Sequence, residues 1–179
     1  MACTVESLVE KLKEVKTGTT GYAQVIAECE WKTEDFDKFI FYSDEYYTRN
    51  LIHTCKEFEL VLLCWEKGQK TPIHNHPNSE GWLRVIKGEV EEHIFTDPDK
   101  DPSGTPILLE KKTGVEKDFT HINDSIGLHD IANKADGRTV TLHLYAPTFT
   151  ACNYYCPDSK EIKLKELCFY SEHGEIVKK

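Results

Sequence analysis

Three histidines in this sequence have the type and spacing of metal ligands. His74 and His76 are separated by one residue, and His129 follows much later in the chain. On an extended strand, residues two apart point to the same side, so the imidazoles of His74 and His76 can reach one ion. An imidazole from a distant strand, such as that of His129, would complete a face of nitrogen donors and leave positions open for a substrate. The pair alone is weak support, because the same pattern also occurs as surface decoration on edge strands.

Glycines around these histidines give the pattern more weight. Gly68, the histidine pair, position 81 and Gly88 follow the spacing of the first cupin motif, with Gly81 where many cupins have a ligating glutamate. A second motif surrounds His129, although its usual proline is missing and its glycine, Gly127, is shifted by one position. The sequence therefore resembles the cupin superfamily. This resemblance implies a small double-sheet β-barrel with a metal ion in its mouth.

Five longer segments resemble cysteine dioxygenase in their order and spacing. They are YYTRNLI (46–52), FELVLLCW (58–65), HNHPNSEGWLRVIKGEV (74–90), INDSIGLHDIAN (122–133) and TLHLYAP (141–147). The resemblance implies Fe²⁺ held at the positions that match His74, His76 and His129. It also implies that L-cysteine is oxidised with O2 to cysteine sulfinic acid, on the route of cysteine catabolism to taurine and sulfate.

Position 81 departs from the pattern of many members of that family. Those members carry a cysteine there, linked by a thioether to the tyrosine that matches Tyr145, whereas Gly81 cannot form this link. Tyr145 is therefore expected to remain a free phenol. Three neutral imidazoles without a carboxylate would leave a dicationic centre that accepts a thiolate. Glu80 is one residue out of register, so we expect it to face away from the ion as a solvated carboxylate.

Arg49 and Tyr47 are the predicted substrate-binding residues. A guanidinium group is a planar fork that matches a carboxylate. Without the motif, a structural arginine paired with one of the 31 acidic residues would be the simpler interpretation. In the family that the chain resembles, the arginine of the YTRN stretch binds the carboxylate of cysteine, and Arg49 matches it. Tyr47 would share the face of Arg49 on an extended segment; the alternative is a core aromatic.

Thr141, His143 and Tyr145 alternate along one predicted strand and therefore share a face. In the family this stretch is Ser-x-His-x-Tyr, a hydrogen-bonded line that ends at a tyrosine hydroxyl beside the iron, and Thr141 keeps the hydroxyl group. The resemblance implies that His143 is fixed in one tautomer and directs the Tyr145 hydroxyl, so all three are candidate catalytic residues. The alternative is a satisfied core histidine among aromatics. The resemblance also suggests a cis Ala146-Pro147 bond, although cis bonds before proline are infrequent.

Helices and strands must position these residues. Helical spacing predicts a first helix over Val5 to Val15 with Thr4 as its N-cap, and a shorter second segment after a break at Gly18 and Gly21. A third helix is predicted from Thr33, whose hydroxyl would cap it. Short apolar or alternating runs then predict strands, with a long exposed loop between two of them; the strands are placed at 58–65, 81–86, 90–95 and 139–145, and the loop at 97–106. We therefore expect a mainly β, single cupin domain over residues 1–179, with a helical part to about residue 45 and a jelly-roll-like barrel after it.

Composition limits the partners and the compartment. The chain has 179 residues, and 22 basic against 31 acidic residues give a net charge of −9. This acidic balance offers no large basic surface for nucleic acid or an anionic membrane. The sequence has neither an apolar run near the length of a membrane span nor the apolar core of a signal peptide, so a cytoplasmic protein is expected. An acidic surface with no obvious exposed apolar helix makes a monomer the simplest expectation. Seven scattered cysteines are predicted to be reduced thiols, with Cys64 and Cys152 buried as small hydrophobes.

Two other functions remain open from the residues alone. The first is the same chemistry on another thiol, such as 3-mercaptopropionate, although relatives with that preference tend to carry glutamine where this sequence has Arg49. The second is a cupin that only binds a ligand or a structural metal, because histidine ligands also suit zinc and nickel.

Overall fold

The computed structural model describes residues 3–15 and 18–177. Two α-helices, α1 (Val5–Lys13) and α2 (Gly18–Glu28), and a 3-10 helix (Thr33–Phe39) come first. The strands that follow are β1 (Thr48–Thr54), β2 (Glu59–Trp65), β3 (Glu80–Lys87), β4 (Glu89–Phe95), β5 (Leu108–Val115), β6 (Phe119–Ile122), β7 (Leu128–Asn133), β8 (Thr139–Ala146), β9 (Ala151–Cys156), β10 (Glu161–Glu166), β11 (Ser171–Glu172) and β12 (Glu175–Ile176).

Two sheets face each other across the core. The larger has the strand order β12-β11-β1-β2-β8-β3-β6, and the smaller has the order β5-β4-β7. His74 bridges β7 on one side and Tyr154 of β9 on the other, so the β9-β10 hairpin continues the smaller sheet. Leu63 and Val85 of the larger sheet pack in one cluster with Val90 and Ile131 of the smaller one. This is the predicted double-sheet architecture, although the described strands form separate hydrogen-bonded sheets and do not close into one ring.

The helical part covers the outer face of the larger sheet. Leu8 and Leu12 of α1 belong to one buried cluster with Leu60 and Leu142 of the central strands. Every residue of β2 and of β8 is consequently buried, because one face of these strands meets the helices and the other meets the smaller sheet. Burial on both faces explains why 58–65 is an almost continuous apolar run.

The helix boundaries differ in part from the predictions. Thr4 caps α1 as predicted, since its hydroxyl accepts a hydrogen bond from the backbone of Ser7 at 3.2 Å. The prediction of two separate helices is confirmed, but the break does not extend to Gly21, because α2 begins at Gly18 and continues through Gly21. Packing of α2 against the core outweighs the cost of about 1 kcal/mol for each helical glycine.

The third helix is a 3-10 helix, and Thr33 is its first residue and not its cap. The cap is Lys32, whose backbone amide donates to the Asp35 carboxylate at 2.8 Å. The chain therefore turns one residue earlier than the hydroxyl of Thr33 suggests.

Gly88 makes the tight turn between β3 and β4 possible. Its φ of +85° lies in the left-handed region, and a Cβ there would come within 2.3 Å of the Thr139 hydroxyl oxygen. Only glycine fits this position without strain. The predicted strands 58–65, 81–86, 90–95 and 139–145 are confirmed with shifts of at most one residue at their ends, and 97–106 lies in the loop between β4 and β5 as predicted.

All seven cysteines lie in the described residues, and none forms a disulfide bond. Cys64 and Cys152 are buried as predicted. Within residues 3–15 and 18–177, no helix combines the length and the apolar content that a membrane span requires.

Candidate active site

His74, His76 and His129 converge between the two sheets. His129 is on β7 and exchanges two backbone hydrogen bonds with His74, at 2.9 and 3.0 Å. One ligand atom of each histidine lies within 4.8 Å of the others, so the group can hold a metal ion. The structure thus brings together the three histidines that the sequence analysis selected.

The segment that carries His74 and His76 is not the regular strand that was predicted. Only His74 makes strand-like bridges, and the chain turns at Pro77 and Asn78. The backbone amide of His76 donates instead to the Asp124 carboxylate at 2.8 Å. Asp124 therefore holds His76 at the site in place of a neighbouring strand.

Hydrogen bonds fix the tautomers of two of the imidazoles. Nδ1 of His74 lies 2.9 Å from the Pro72 carbonyl oxygen, and Nδ1 of His129 lies 2.7 Å from the Glu92 carboxylate. Both partners only accept, so Nδ1 carries the proton and Nε2 keeps its lone pair for a metal. The third histidine, His76, has a buried Nδ1 without a hydrogen-bond partner among the described residues.

Burial keeps two of the candidate ligands, His74 and His76, neutral. It lowers the pKa of His74 to about 3, with a further contribution from the neighbouring His129. Burial and the same neighbour hold the pKa of His76 well below its ordinary value. Neutral imidazole is the form that binds a metal ion.

Glu92 is a site residue that sequence reasoning missed. Besides the bond from His129, its carboxylate accepts one from the Thr120 hydroxyl at 2.7 Å. Burial opposes the charge on Glu92, but these hydrogen bonds lower its pKa below the ordinary value, so it is an anion behind the His129 ring. The alternation along β4 identifies an inward-facing carboxylate, although not the histidine that it meets.

A cavity of about 490 Å³ opens beside the three histidines. Its lining residues include Tyr47, Arg49, His74, His129, Tyr145 and Cys152. The predicted substrate-binding residues therefore face the same space as two of the candidate ligands. Cys152 is also at this cavity, where burial raises the pKa of its thiol.

Arg49 is largely buried, with 12% of its side chain exposed, and pairs with a buried carboxylate. Its guanidinium donates to Glu59 at 3.2 Å, while its Nε is buried without a hydrogen-bond partner among the described residues. Burial opposes the charge, but Tyr145 and Glu59 beside it raise the pKa of Arg49 above its ordinary value. Arg49 is thus a cation at the cavity wall with donor capacity left over.

Tyr47 stacks on Trp65 with ring centroids 4.8 Å apart. It faces the cavity and also packs against the core cluster between the sheets, so both interpretations of this tyrosine describe part of its surroundings. Burial raises the pKa of its hydroxyl, which keeps the proton on it.

The three alternating residues of β8 form the predicted hydrogen-bonded line. The Thr141 hydroxyl lies 2.8 Å from Nε2 of His143, and Nδ1 of His143 lies 3.1 Å from the Tyr145 hydroxyl. Leu142 and Leu144 belong to the other cluster, on the opposite face of the strand.

Trp65 extends this line and sets its direction. Its indole N–H donates to the Thr141 hydroxyl at 2.9 Å. An indole can only donate, and among the described residues Nε2 of His143 is the only other partner of this buried hydroxyl. Thr141 therefore gives its proton to Nε2 of His143, and Nδ1–H of His143 donates to Tyr145. The Tyr145 proton is left free to point into the cavity. Burial raises the pKa of Tyr145 to about 12, although Arg49 lowers it, so that proton is held at neutral pH.

Glu80 faces away from the three histidines, but it is not the solvated carboxylate that was predicted. Its carboxylate pairs with Nε2 of His121 at 2.5 Å and accepts from the Asn123 amide at 2.9 Å. It therefore ties the start of β3 to β6 and the turn that follows. The Ala146-Pro147 bond is cis, as the resemblance suggested.

Two facing sheets with a three-imidazole group at a cavity define a cupin with a candidate metal site. In agreement, a solved structure from Klebsiella pneumoniae subsp. pneumoniae MGH 78578, described as an uncharacterized conserved protein with a double-stranded beta-helix domain, superposes with a TM-score of 0.51. It covers 62% of this chain and 80% of that chain at 19% identity. This likeness supports the fold.

The sequence comparisons are more specific. A family model described as Cysteine dioxygenase type I matches residues 1–158. A relative from Danio rerio named Cysteine dioxygenase type 1 is 28% identical over 184 residues, which cover 96% of this chain and 89% of that protein. The relative of the same name from Rattus norvegicus is 36% identical over 134 residues, which cover 73% of this chain and 66% of that protein. The chain therefore belongs to the cysteine dioxygenase type I family, and it is an enzyme of the cupin superfamily.

Proposed function

We propose that this enzyme uses Fe²⁺ to oxidise the thiol of L-cysteine with O2 to cysteine sulfinic acid. The observation that carries this proposal is the shared cavity, which joins two of the three clustered imidazoles to the cationic Arg49 and to Tyr145. Membership of the cysteine dioxygenase type I family supports cysteine as the thiol.

The donor set fits a divalent metal ion. Nε2 lone pairs are fixed on His74 and His129, and His76 adds a third buried imidazole. We assign these three residues as the metal ligands. Ferrous iron bound there would supply the O2 chemistry and would favour the thiolate form of the substrate.

Arg49 is assigned to the substrate carboxylate. A guanidinium group with unused donors at a cavity wall can form two parallel bonds to a carboxylate. Tyr47 lies along the same wall and can add a hydroxyl donor. Together these residues would hold cysteine with its thiol toward the histidines, so that the reacting atoms are oriented before the reaction.

Tyr145 is assigned to proton control. His143 donates to its oxygen, which leaves the phenol proton available to a reacting oxygen or to the substrate. The reaction takes both oxygen atoms of O2 to sulfur, and the sulfur supplies the electrons, so no further reductant is needed. Thr141 and His143 act by fixing the orientation of the Tyr145 hydroxyl.

Anaerobic reconstitution of the full chain with ferrous iron, followed by L-cysteine and labelled O2, tests the proposal. We expect cysteine sulfinic acid with both labelled oxygens by mass spectrometry, and loss of O2 uptake in His76→Ala. Absence of sulfinate from the iron-loaded protein would refute the activity. Full retention of O2 uptake in His76→Ala would refute the site, and a larger kcat/KM for 3-mercaptopropionate would refute cysteine as the preferred substrate.

We also propose that the chain is one cupin domain over residues 1–179 and acts as a cytoplasmic monomer whose product enters the route to taurine and sulfate. Seven unpaired thiols support a reducing compartment. The helices and the candidate site lie on opposite faces of the same strands, which supports one folding unit. Light scattering of the purified chain would measure its oligomeric state.

A further inference from the structure

Two cysteines far apart in sequence meet beneath the helical part. Sγ of Cys3 and Sγ of Cys29 lie 2.9 Å apart, and Cys3 and Cys29 are only 2% and 3% exposed. The backbone amide of Cys3 also donates to the Glu30 carbonyl at 3.2 Å, which holds the two segments side by side. This pair is on the outer face of the larger sheet, within the cluster opposite the candidate active site.

A lysine lies over both sulfur atoms. Nζ of Lys11 is 3.6 Å from Sγ of Cys3 and 3.7 Å from Sγ of Cys29, and the Ser7 hydroxyl is 3.3 Å from Sγ of Cys3. A cation and hydroxyl beside a thiol stabilise its thiolate, which is the nucleophilic form.

The two thiols are not equivalent. Burial opposes the thiolate of Cys3, but hydrogen bonds from Cys29 and Ser7 together with Lys11 lower its pKa below the ordinary value. Burial and the neighbouring Cys3 raise the pKa of Cys29 to about 11. One sulfur is thus suited to attack an oxidant, and the other remains a thiol until the first has reacted.

We propose that Cys3 and Cys29 form a peroxide-reactive dithiol site, in which Cys3 is the attacking thiolate and Cys29 the resolving thiol. Cys3 attacks hydrogen peroxide, the O–O bond breaks, and the products are a sulfenic acid on Cys3 and hydroxide, which is protonated to water. The Cys29 sulfur then displaces the second oxygen as water and forms the disulfide. Overall, two thiols and one hydrogen peroxide give one disulfide and two waters.

Peroxide is the oxidant that the surroundings favour. Both sulfur atoms are almost covered, so a molecule about the size of water reaches them more easily than a bulky disulfide does. Lys11 is exposed above them and can supply the proton that the departing oxygen needs.

The disulfide would fasten the start of the described chain to the end of α2. That end is already attached to the larger sheet, because Arg84 of β3 donates to the carbonyl oxygens of Ala27 at 3.1 Å and of Cys29 at 2.7 Å. Oxidation would therefore clamp α1 onto the sheet and raise the thermal midpoint of unfolding by roughly 5 °C.

Treatment of the full chain with hydrogen peroxide, with a chelator present, tests the site by its mass. We expect a decrease of about 2 Da, reversed by a reductant, and a linked pair of peptides that contain Cys3 and Cys29. Cys55→Ser should keep this link and Cys29→Ser should lose it, leaving Cys3 with an added oxygen. Oxidation of other cysteines without a Cys3–Cys29 link would overturn the proposal.

The role of Lys11 is tested by a rate. Lys11→Met should slow the formation of the link by about tenfold, because the thiolate loses its cation. Lys13→Met is the matched control on the same helix, since Lys13 pairs with Glu10 at 2.8 Å, and it should react like the parent. Equal rates for both variants would refute the role of Lys11 in the reaction. An unchanged thermal midpoint in the linked protein would refute the proposed stabilisation by the disulfide. Neither measurement depends on the dioxygenase activity.

Discussion

Gly81 of β3 lies directly opposite Tyr145 of β8 in the antiparallel pairing of these strands. A Cβ atom on Gly81 would be 3.1 Å from Cγ2 of Ile122 and 3.3 Å from Cδ2 of His76. The position is therefore adjacent both to the tyrosine and to one candidate ligand. A side chain there would be in tight contact with His76, and glycine avoids this contact.

Because Gly81 has no sulfur to offer its neighbour, we expect Tyr145 to be unmodified in the natural chain. Its intact mass should equal the sequence mass, whereas Gly81→Cys, loaded with iron and given cysteine and O2, should lose about 2 Da in a peptide linked to Tyr145. Gly81→Ala is the control, since it introduces the crowding without the sulfur. A mass loss in the Tyr145 peptide of the parent chain would contradict the prediction.

Glu59→Gln should tighten the binding of a carboxylate substrate. Glu59 places a negative charge beside Arg49, and the amide keeps the shape and an acceptor while it removes that charge. We expect KM for cysteine to fall roughly fivefold, about 1 kcal/mol, with kcat changed by less than about twofold. Steady-state kinetics would measure this. Arg49→Gln should raise KM, and an equal rise in Glu59→Gln would show that the pair is needed intact.

Trp65→Phe should reduce kcat more than it affects KM. The substitution keeps an aromatic ring against Tyr47 but removes the one indole donor that, among the described residues, fixes the direction of the Thr141 hydroxyl. We expect kcat to fall by about five- to tenfold. Trp82→Phe is the matched control, since Trp82 is equally buried but packs against His121 and Tyr22 away from the cavity. A greater loss of kcat in Trp82→Phe would indicate a general packing effect.

Glu92→Gln should weaken metal binding. The amide can still accept from Nδ1–H of His129, but the negative charge that increases the basicity of the ring is lost, and we expect an affinity for Fe²⁺ or Zn²⁺ that is lower by about 10- to 100-fold. Competition with a chromophoric chelator would measure it. Glu91→Gln on the outward side of β4 is the control, because Glu91 pairs with Lys111 at the surface. Equal affinities in the two variants would refute the role of Glu92.

Local patterns predicted those parts of the site that lie on one strand. The alternation of Thr141, His143 and Tyr145 fixes a common face before anything is known of the rest of the fold, because strand geometry has a period of two. Glu59 and Glu92 were not predicted as site residues, because their roles depend on which side chains the neighbouring strands place beside them. Pairing across strands depends on the packing of the whole chain and leaves no short-range signal.

In the helical part, too, local signals were predictive and effects of tertiary packing were not. Apolar spacing and the Thr4 cap predicted α1, because both act within a few residues. Gly21 suggested a break, since its intrinsic helix propensity is poor, but α2 continues through it because Tyr22 and Ile26 are buried in the core. Tertiary contacts determine whether such a segment is helical, and its intrinsic propensity alone does not.

Arg84 joins the helices to the larger sheet. Its guanidinium is buried on β3, none of the ion pairs among the described residues includes it, and its charge is met by the carbonyl oxygens at the end of α2 and by the ring of Trp31 at 4.8 Å. If the helices detached alone, Arg84 would lose its carbonyl partners and the apolar outer face of the larger sheet would be exposed to water, which is strongly unfavourable. Loss of the helices and loss of the sheets are therefore expected to coincide in a single cooperative transition.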